Sequence, residues 1–155
     1  MEPIVKTITV RRSPDEAFRL FTAEVARWWP LATHHLGRLP PVACAIVPVV
    51  GGRIYETAPD GTEQDWGRVL AWDPPGRFAM SWDVGIATEL VLAFTPVSAG
   101  CEVQLRHDGW AGQQPARRAA YEAAWDIVLV GHYGRFAGRI GMTDDENAGG
   151  WIDQL

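Results

Sequence analysis

The sequence predicts an α+β domain in which a curved antiparallel sheet of six to seven strands wraps around one long C-terminal helix, with two short helices after the first strand. Three observations lead there. Residues 51–82, GGRIYETAPDGTEQDWGRVLAWDPPGRFAMSW, hold three β-prone runs bounded by Gly51-Gly52, Pro59-Asp60-Gly61 and Asp73-Pro74-Pro75-Gly76. Aspartate and glycine accept left-handed turn conformations and proline presets φ, so each cluster reverses the chain and a meander results. Residues 86–95 and 101–109 then alternate apolar and polar with a period of two, and after Gly109 the period switches to 3.6.

The elements follow in order. Residues 3–11 are rich in β-branched residues and read as a strand. Ser13 is placed to cap a helix, Pro14 suits its first position, and Glu16 completes a capping box. Ala17, Phe18, Leu20, Phe21 and Val25 recur at helical spacing, and Thr22 divides them into two short helices ending near Trp28-Trp29-Pro30. Residues 31–41 hold His34, His35, Gly37, Pro40 and Pro41 without a period and read as a loop, and residues 42–48 as a strand. The meander supplies strands at 53–56, 66–72 and 77–82. In 86–95, Leu90, Leu92 and Phe94 share a face; in 101–109, Cys101, Val103, Leu105 and His107 do. Pro115 opens the last helix, where Tyr121, Ala124, Trp125, Val128, Leu129, His132, Tyr133 and Phe136 form an apolar stripe over about four turns. A helix of about 23 residues spans roughly 35 Å, enough to cross a sheet. One helix cannot fill the concave face of so large a curved sheet, so a gap suited to a ligand is expected between them.

The 155 residues suffice for one domain with one core, taken as residues 1–140 with 141–155 as its tail, frayed or docked through Trp151. A hydrophobic content of 47% is ordinary for a folded chain. The net charge of −5 and the lack of a basic block argue against nucleic acid as a partner. No apolar run approaches a membrane span, and the first ten residues show no signal-peptide core, so a soluble cytoplasmic protein is expected. Cys44 and Cys101 fit no CxxC pattern and read as buried thiols of a reducing compartment.

Several of these segments together resemble the START-like, Bet v 1-like superfamily called SRPBCC, and within it the branch of the C-terminal domain of the activator of Hsp90 ATPase. The matching residues are Ser13-Pro14-Asp15-Glu16-Ala17-Phe18, Phe21-Thr22, Trp28-Trp29-Pro30, Gly51-Gly52, Asp60-Gly61 and Trp66-Gly67-Arg68-Val69. Asp73-Pro74-Pro75, Ser81-Trp82, Phe94-Thr95-Pro96, His107-Asp108-Gly109-Trp110 and Trp125 complete the set, over about residues 4–138. The resemblance implies the helix-grip fold and a cavity. It implies no particular chemistry, because members include lipid and metabolite binders, polyketide cyclases, hormone receptors and co-chaperone domains. Many relatives pair as dimers, so a homodimer is among the partners the resemblance implies, though the residues themselves do not establish it.

Eight tryptophans exceed what one core needs, and Trp28, Trp29, Trp66, Trp82, Trp110 and Trp125 are candidates to line the gap; plain packing is the alternative for each. The expected ligand-binding set is Trp28, Glu56, Trp66, Met80, Trp82, Leu92, Leu105, His107, Trp125 and Leu129. Strand parity turns His107 inward, to contact a ligand or simply to bond a strand carbonyl. Glu56 shares parity with Ile54, and if buried it needs a partner, for which Arg68 and His107 are candidates. His34-His35 lacks the spacing of a metal site, and His132 reads as a core histidine. No nucleophile elbow, phosphate-cradling loop or dinucleotide fingerprint is present, so catalytic residues stay unassigned and no metal or cofactor is expected.

Three functions remain open from the sequence. The favoured one is binding of a small hydrophobic or aromatic molecule between the sheet and the last helix. The second is a cyclase or aromatase, with His107 or Glu56 moving a proton. The third is a co-chaperone-like interaction module, suggested by the resemblance alone.

Overall fold

A computed structural model describes residues 1–141. The expected tail beyond Gly141, with Trp151 and Ile152, lies outside the described residues. The strands are β1 (Ile4–Val10), β2 (Ala43–Ile46), β3 (Arg53–Thr57), β4 (Glu63–Asp73), β5 (Arg77–Trp82), β6 (Thr88–Val97) and β7 (Gly100–Asp108). They form one antiparallel sheet in the order β1-β7-β6-β5-β4-β3-β2, so only the pairing of β1 with β7 joins strands distant in sequence. Between β1 and β2 come α1 (Pro14–Thr22) and α2 (Val25–Trp28). This is the curled sheet with a C-terminal helix that the periodicities predict.

Local chemistry explains the entry into α1. Ser13 has an extended backbone, and its hydroxyl accepts the Glu16 amide at 3.2 Å while donating to the Glu16 carboxylate at 3.2 Å. Phe18 and Phe21 project from α1 onto Phe78 of β5 and Phe94 of β6, with ring centroids 5.2–6.0 Å apart. These edge-to-face and tilted contacts fill the concave face at one end with aromatic rings. The Tyr133 hydroxyl donates to the Ala17 carbonyl at 2.8 Å and ties the last helix to the same cluster.

Curvature enters through β4. The register shifts between Ile54 and Tyr55 against β4 and again between Val69 and Ala71 against β5, the signature of bulges that bend a strand. Gly67 lies between them, where a Cβ would stand 1.8 Å from the Ser81 carbonyl oxygen. Any side chain there would push β5 away, so the close approach requires glycine.

The last helix departs from the expected uniform α-helix. It begins as α3 (Pro115–Trp125), widens into a π-helical segment (Asp126–Tyr133) and closes as α4 (Gly134–Ala137), which ends at left-handed Gly138. A π-turn holds more residues than an α-turn, so the buried face drifts along the chain. Trp125, Val128 and Leu129 are buried as a 3.6 period requires, but beyond them Tyr133 and Ala137 are buried and His132 and Phe136 only half-buried. The expected stripe is therefore corrected at its C-terminal end. Gly131 and Gly134 are both buried, and a Cβ on Gly134 would stand 3.0 Å from the Arg139 side chain.

Candidate functional site

The gap between sheet and helix is divided in two. At the end held by Phe18, Phe21, Phe78, Phe94 and Tyr133 it is packed solid. At the other end it opens into a cavity of about 300 Å³. Its walls come from three places. Trp66 of β4 and Trp82 of β5 stand on the sheet. Tyr121, Ala124, Trp125 and Val128 face it from the helix. The loop after α2 contributes Trp29 and residues 33–36. The indoles contact one another: Trp29 to Trp66 at 4.8 Å, Trp66 to Trp82 at 5.8 Å, Trp82 to Trp125 at 5.7 Å and Trp29 to Trp125 at 6.1 Å between centroids.

Adjacent Trp28 and Trp29 diverge because α2 stops between them. Trp28 is the last helical residue and turns into the core, where its Nε1–H donates to the Leu20 carbonyl at 3.0 Å. Trp29 has an extended backbone, which turns its ring toward the cavity, and its Nε1–H donates to the His34 carbonyl at 2.9 Å. That bond, with the His34 amide donating to the Pro30 carbonyl at 2.9 Å, curls the loop over the cavity.

Glu56 fastens the same loop. It is 2% exposed, yet neither Arg68 nor His107 reaches it, contrary to expectation. Its Oε1 accepts the Leu36 amide at 2.6 Å and the Trp66 Nε1–H at 2.8 Å, and its Oε2 accepts the Gly37 amide at 3.2 Å. Three N–H donors on two oxygens are what an ionised carboxyl asks for when no cation is near. Arg68 instead lies on the outer surface, 3.5 Å from Asp65. Burial and, secondarily, the Glu56 charge push the thiol of the cross-strand neighbour Cys44 up to about 12, which keeps that sulfur protonated.

His107 is fully buried behind the cavity wall. Its Nδ1 accepts the Trp125 Nε1–H at 3.0 Å, so in the neutral ring Nε2 carries the proton and donates to the Thr88 hydroxyl at 2.7 Å. Thr88 passes its own proton to the Trp82 carbonyl at 3.0 Å. The chain from the Trp125 indole through His107 and Thr88 to the Trp82 carbonyl is thus satisfied at every step and sets the angle of the Trp125 ring. Burial depresses the His107 pKa to about 4, the neighbouring Asp108 opposing only weakly, so the ring is neutral at ordinary pH.

Of the residues expected to bind a ligand, Trp66, Trp82 and Trp125 line the cavity. Met80, Leu92 and Leu105 lie beneath it around a void of about 20 Å³, room for about one water. Trp28, Leu129, Glu56 and His107 do not line it; the last two act on residues that do. Sequence reasoning left out His34, His35, Tyr121 and Ala124, and named Trp29 only among the aromatic candidates. Ala124 was legible in principle: a small residue beside Tyr121, Trp125 and Val128 on a buried stripe leaves space. The two histidines were not, because the Glu56 clamp, together with the Trp29 indole bond to the loop, brings them over the cavity.

The family described as activator of Hsp90 ATPase homolog 1-like protein matches residues 11–130. The chain belongs to the AHSA1-like family. Among solved structures, an anthrahydroquino-γ-pyrone synthase, Txn09, complexed with SUM, is 34% identical, with 88% of this chain and 96% of that one covered at a TM-score of 0.60. The Aha1 dimer from Colwellia psychrerythraea is 18% identical, covering 92% and 100%, TM-score 0.65. An AHSA1-like protein from Aeromonas hydrophila is 21% identical, covering 95% and 94%, TM-score 0.64. No curated protein is recognisably similar to the chain. Among the described residues of this AHSA1-like protein, no helix is long and apolar enough to cross a membrane, and no group of three or more His, Cys, Asp or Glu is placed to hold a metal ion.

Proposed function

We propose that this AHSA1-like protein binds a small, flat, largely apolar aromatic molecule in the cavity between its sheet and α3, as a soluble protein of the cytoplasm. One observation carries the reading: four indoles surround about 300 Å³ of space, the lower end of the size range of small-molecule pockets. Indole faces stack on flat rings and lose little side-chain entropy in doing so. A cytoplasmic setting suits the two free, buried thiols of Cys44 and Cys101. The test is titration with N-phenyl-1-naphthylamine, a neutral dye that brightens in apolar surroundings. Binding near one to one, with quenching of tryptophan emission, is expected. Absence of saturable binding would overturn the reading.

A second reading is favoured by the 34% identity to the synthase Txn09. In it the bound molecule is a polyketide-like substrate and the protein closes a ring on it, as a cyclase. His107 and Glu56 are poor agents for such chemistry, since their polar atoms are engaged away from the cavity. His34 and His35 are the titratable groups able to move a proton at the substrate. Mass-spectrometric product analysis after incubation with uncyclised aromatic polyketides tests it: a cyclised product that disappears in a His34→Leu, His35→Leu double variant supports catalysis, and unchanged substrate speaks for binding alone.

A further inference from the structure

The hydrogen bonds around the cavity define which polar groups a ligand would meet there. Four indole N–H donors surround it, and each is already used. Trp29 donates to the His34 carbonyl, Trp66 to Glu56, Trp82 to the Tyr121 hydroxyl at 3.1 Å, and Trp125 to His107. The Tyr121 hydroxyl, having accepted from Trp82, donates to the Val84 carbonyl at 3.2 Å. The Pro30 carbonyl already accepts the Thr33 amide at 3.2 Å and the His34 amide at 2.9 Å, so the Thr33 hydroxyl, 3.4 Å from it, gives its proton instead to Nδ1 of His34 at 2.8 Å.

The two loop histidines are bound differently. The Nδ1 of His35 stands 3.0 Å from the Gly37 carbonyl, and a carbonyl never donates. His35 therefore carries its proton on Nδ1, and its lone pair sits on Nε2. The Nδ1 of His34 accepts the Thr33 proton at 2.8 Å, so this neutral ring carries its own proton on Nε2. Burial and the adjacent His35 lower the His34 pKa, which favours the neutral ring. Both rings line the cavity, and with Nδ1 turned to the loop, the edge bearing Nε2 is the edge left for a ligand.

We infer that the cavity selects aromatic molecules bearing a phenolic or enolic hydroxyl, which donates to the Nε2 lone pair of His35 and accepts from the Nε2–H of His34. Among the described residues lining the cavity, the indole, tyrosine and threonine protons are spent, and the two histidine Nε2 atoms, one lone pair and one N–H, remain for a ligand. A ligand carboxylate or sulfonate has no proton to give the His35 lone pair, would meet that lone pair beside its single donor, and would lose its hydration. This narrows the ligand class of the proposed function and rests on that reading.

The experiment is calorimetric titration at pH 7.5 with three probes of one ring system: 2-naphthol, 2-methoxynaphthalene and 2-naphthoate. The inference expects 2-naphthol to bind about tenfold tighter than its methyl ether, the effect of about one hydrogen bond, and the naphthoate to bind weakest. In His34→Leu, His35→Leu protein, the naphthol should fall to the level of the ether measured in the same variant. The ranking in the unaltered protein is decisive without any variant. Equal binding of naphthol and ether, or tightest binding of naphthoate, overturns the inference and leaves an aromatic-binding cavity standing. Binding of none of the three overturns it together with the proposed function.

Discussion

Replacing Glu56 by glutamine changes one atom type and should loosen the wall of the cavity. The carboxylate receives three N–H donors, two on Oε1 and one on Oε2. The carboxamide keeps one oxygen. Its better orientation leaves that oxygen toward Leu36 and Trp66 and turns the NH2 group against the Gly37 amide, donor against donor. One charge-assisted bond is lost, and two become neutral ones. Bonds to a charged group contribute about 1.5–3 kcal/mol and neutral ones about 1, so a total loss of at least about 2.5 kcal/mol is expected. Because Leu36 is exposed, part of this loss appears as local opening of the loop rather than global unfolding. Urea denaturation reads the global part. Hydrogen exchange at Leu36 and Gly37 reads the local part, with the Gly37 amide exchanging at least about tenfold faster. Wild-type stability together with wild-type exchange at both amides would refute the clamp.

Two further perturbations probe the same frame. His107 has a folded pKa near 4 against 6.5 in the unfolded chain, so its neutral form favours folding. That contribution is complete above about pH 6.5 and is lost as the pH falls from there toward 4, about 3 kcal/mol in all. His107→Gln should flatten the stability profile between pH 6.5 and 4, as denaturation at each pH would show, and an unchanged slope would count against the assignment. Trp125→Phe removes the N–H that meets His107 Nδ1 and leaves a buried acceptor unpaired. A loss of about 1–3 kcal/mol in chemical denaturation is expected, with weaker dye binding because the same ring lines the cavity.

Most of the fold was legible because it is written in short-range chemistry. Turn residues at 59–61 and 73–76 and the alternation of 86–95 and 101–109 are local signals, and so is the Ser13 cap. The π-helical segment was not legible, since residues 126–133 satisfy a 3.6 period about as well and only packing against the sheet selects the wider turn. The site was readable in part. Parity correctly turns Glu56 and His107 inward, but parity carries no information about partners. Both found N–H donors from the tryptophans and the loop rather than each other or Arg68. His34 and His35 sit in a segment with no period, and their place over the cavity depends on a carboxylate about 20 residues away, which no local pattern encodes.

The central claim is that an aromatic ligand occupies the space between the four indoles and α3, and filling that space tests it most directly. Ala124 faces the cavity from the helix, so Ala124→Trp places an indole where the ligand would lie without removing a wall residue or a hydrogen bond. Titration of this variant with N-phenyl-1-naphthylamine should show saturable binding lost while the denaturation midpoint stays at or above that of the parent protein. A variant that remains folded and binds the dye with unchanged affinity would place the dye elsewhere and contradict the account.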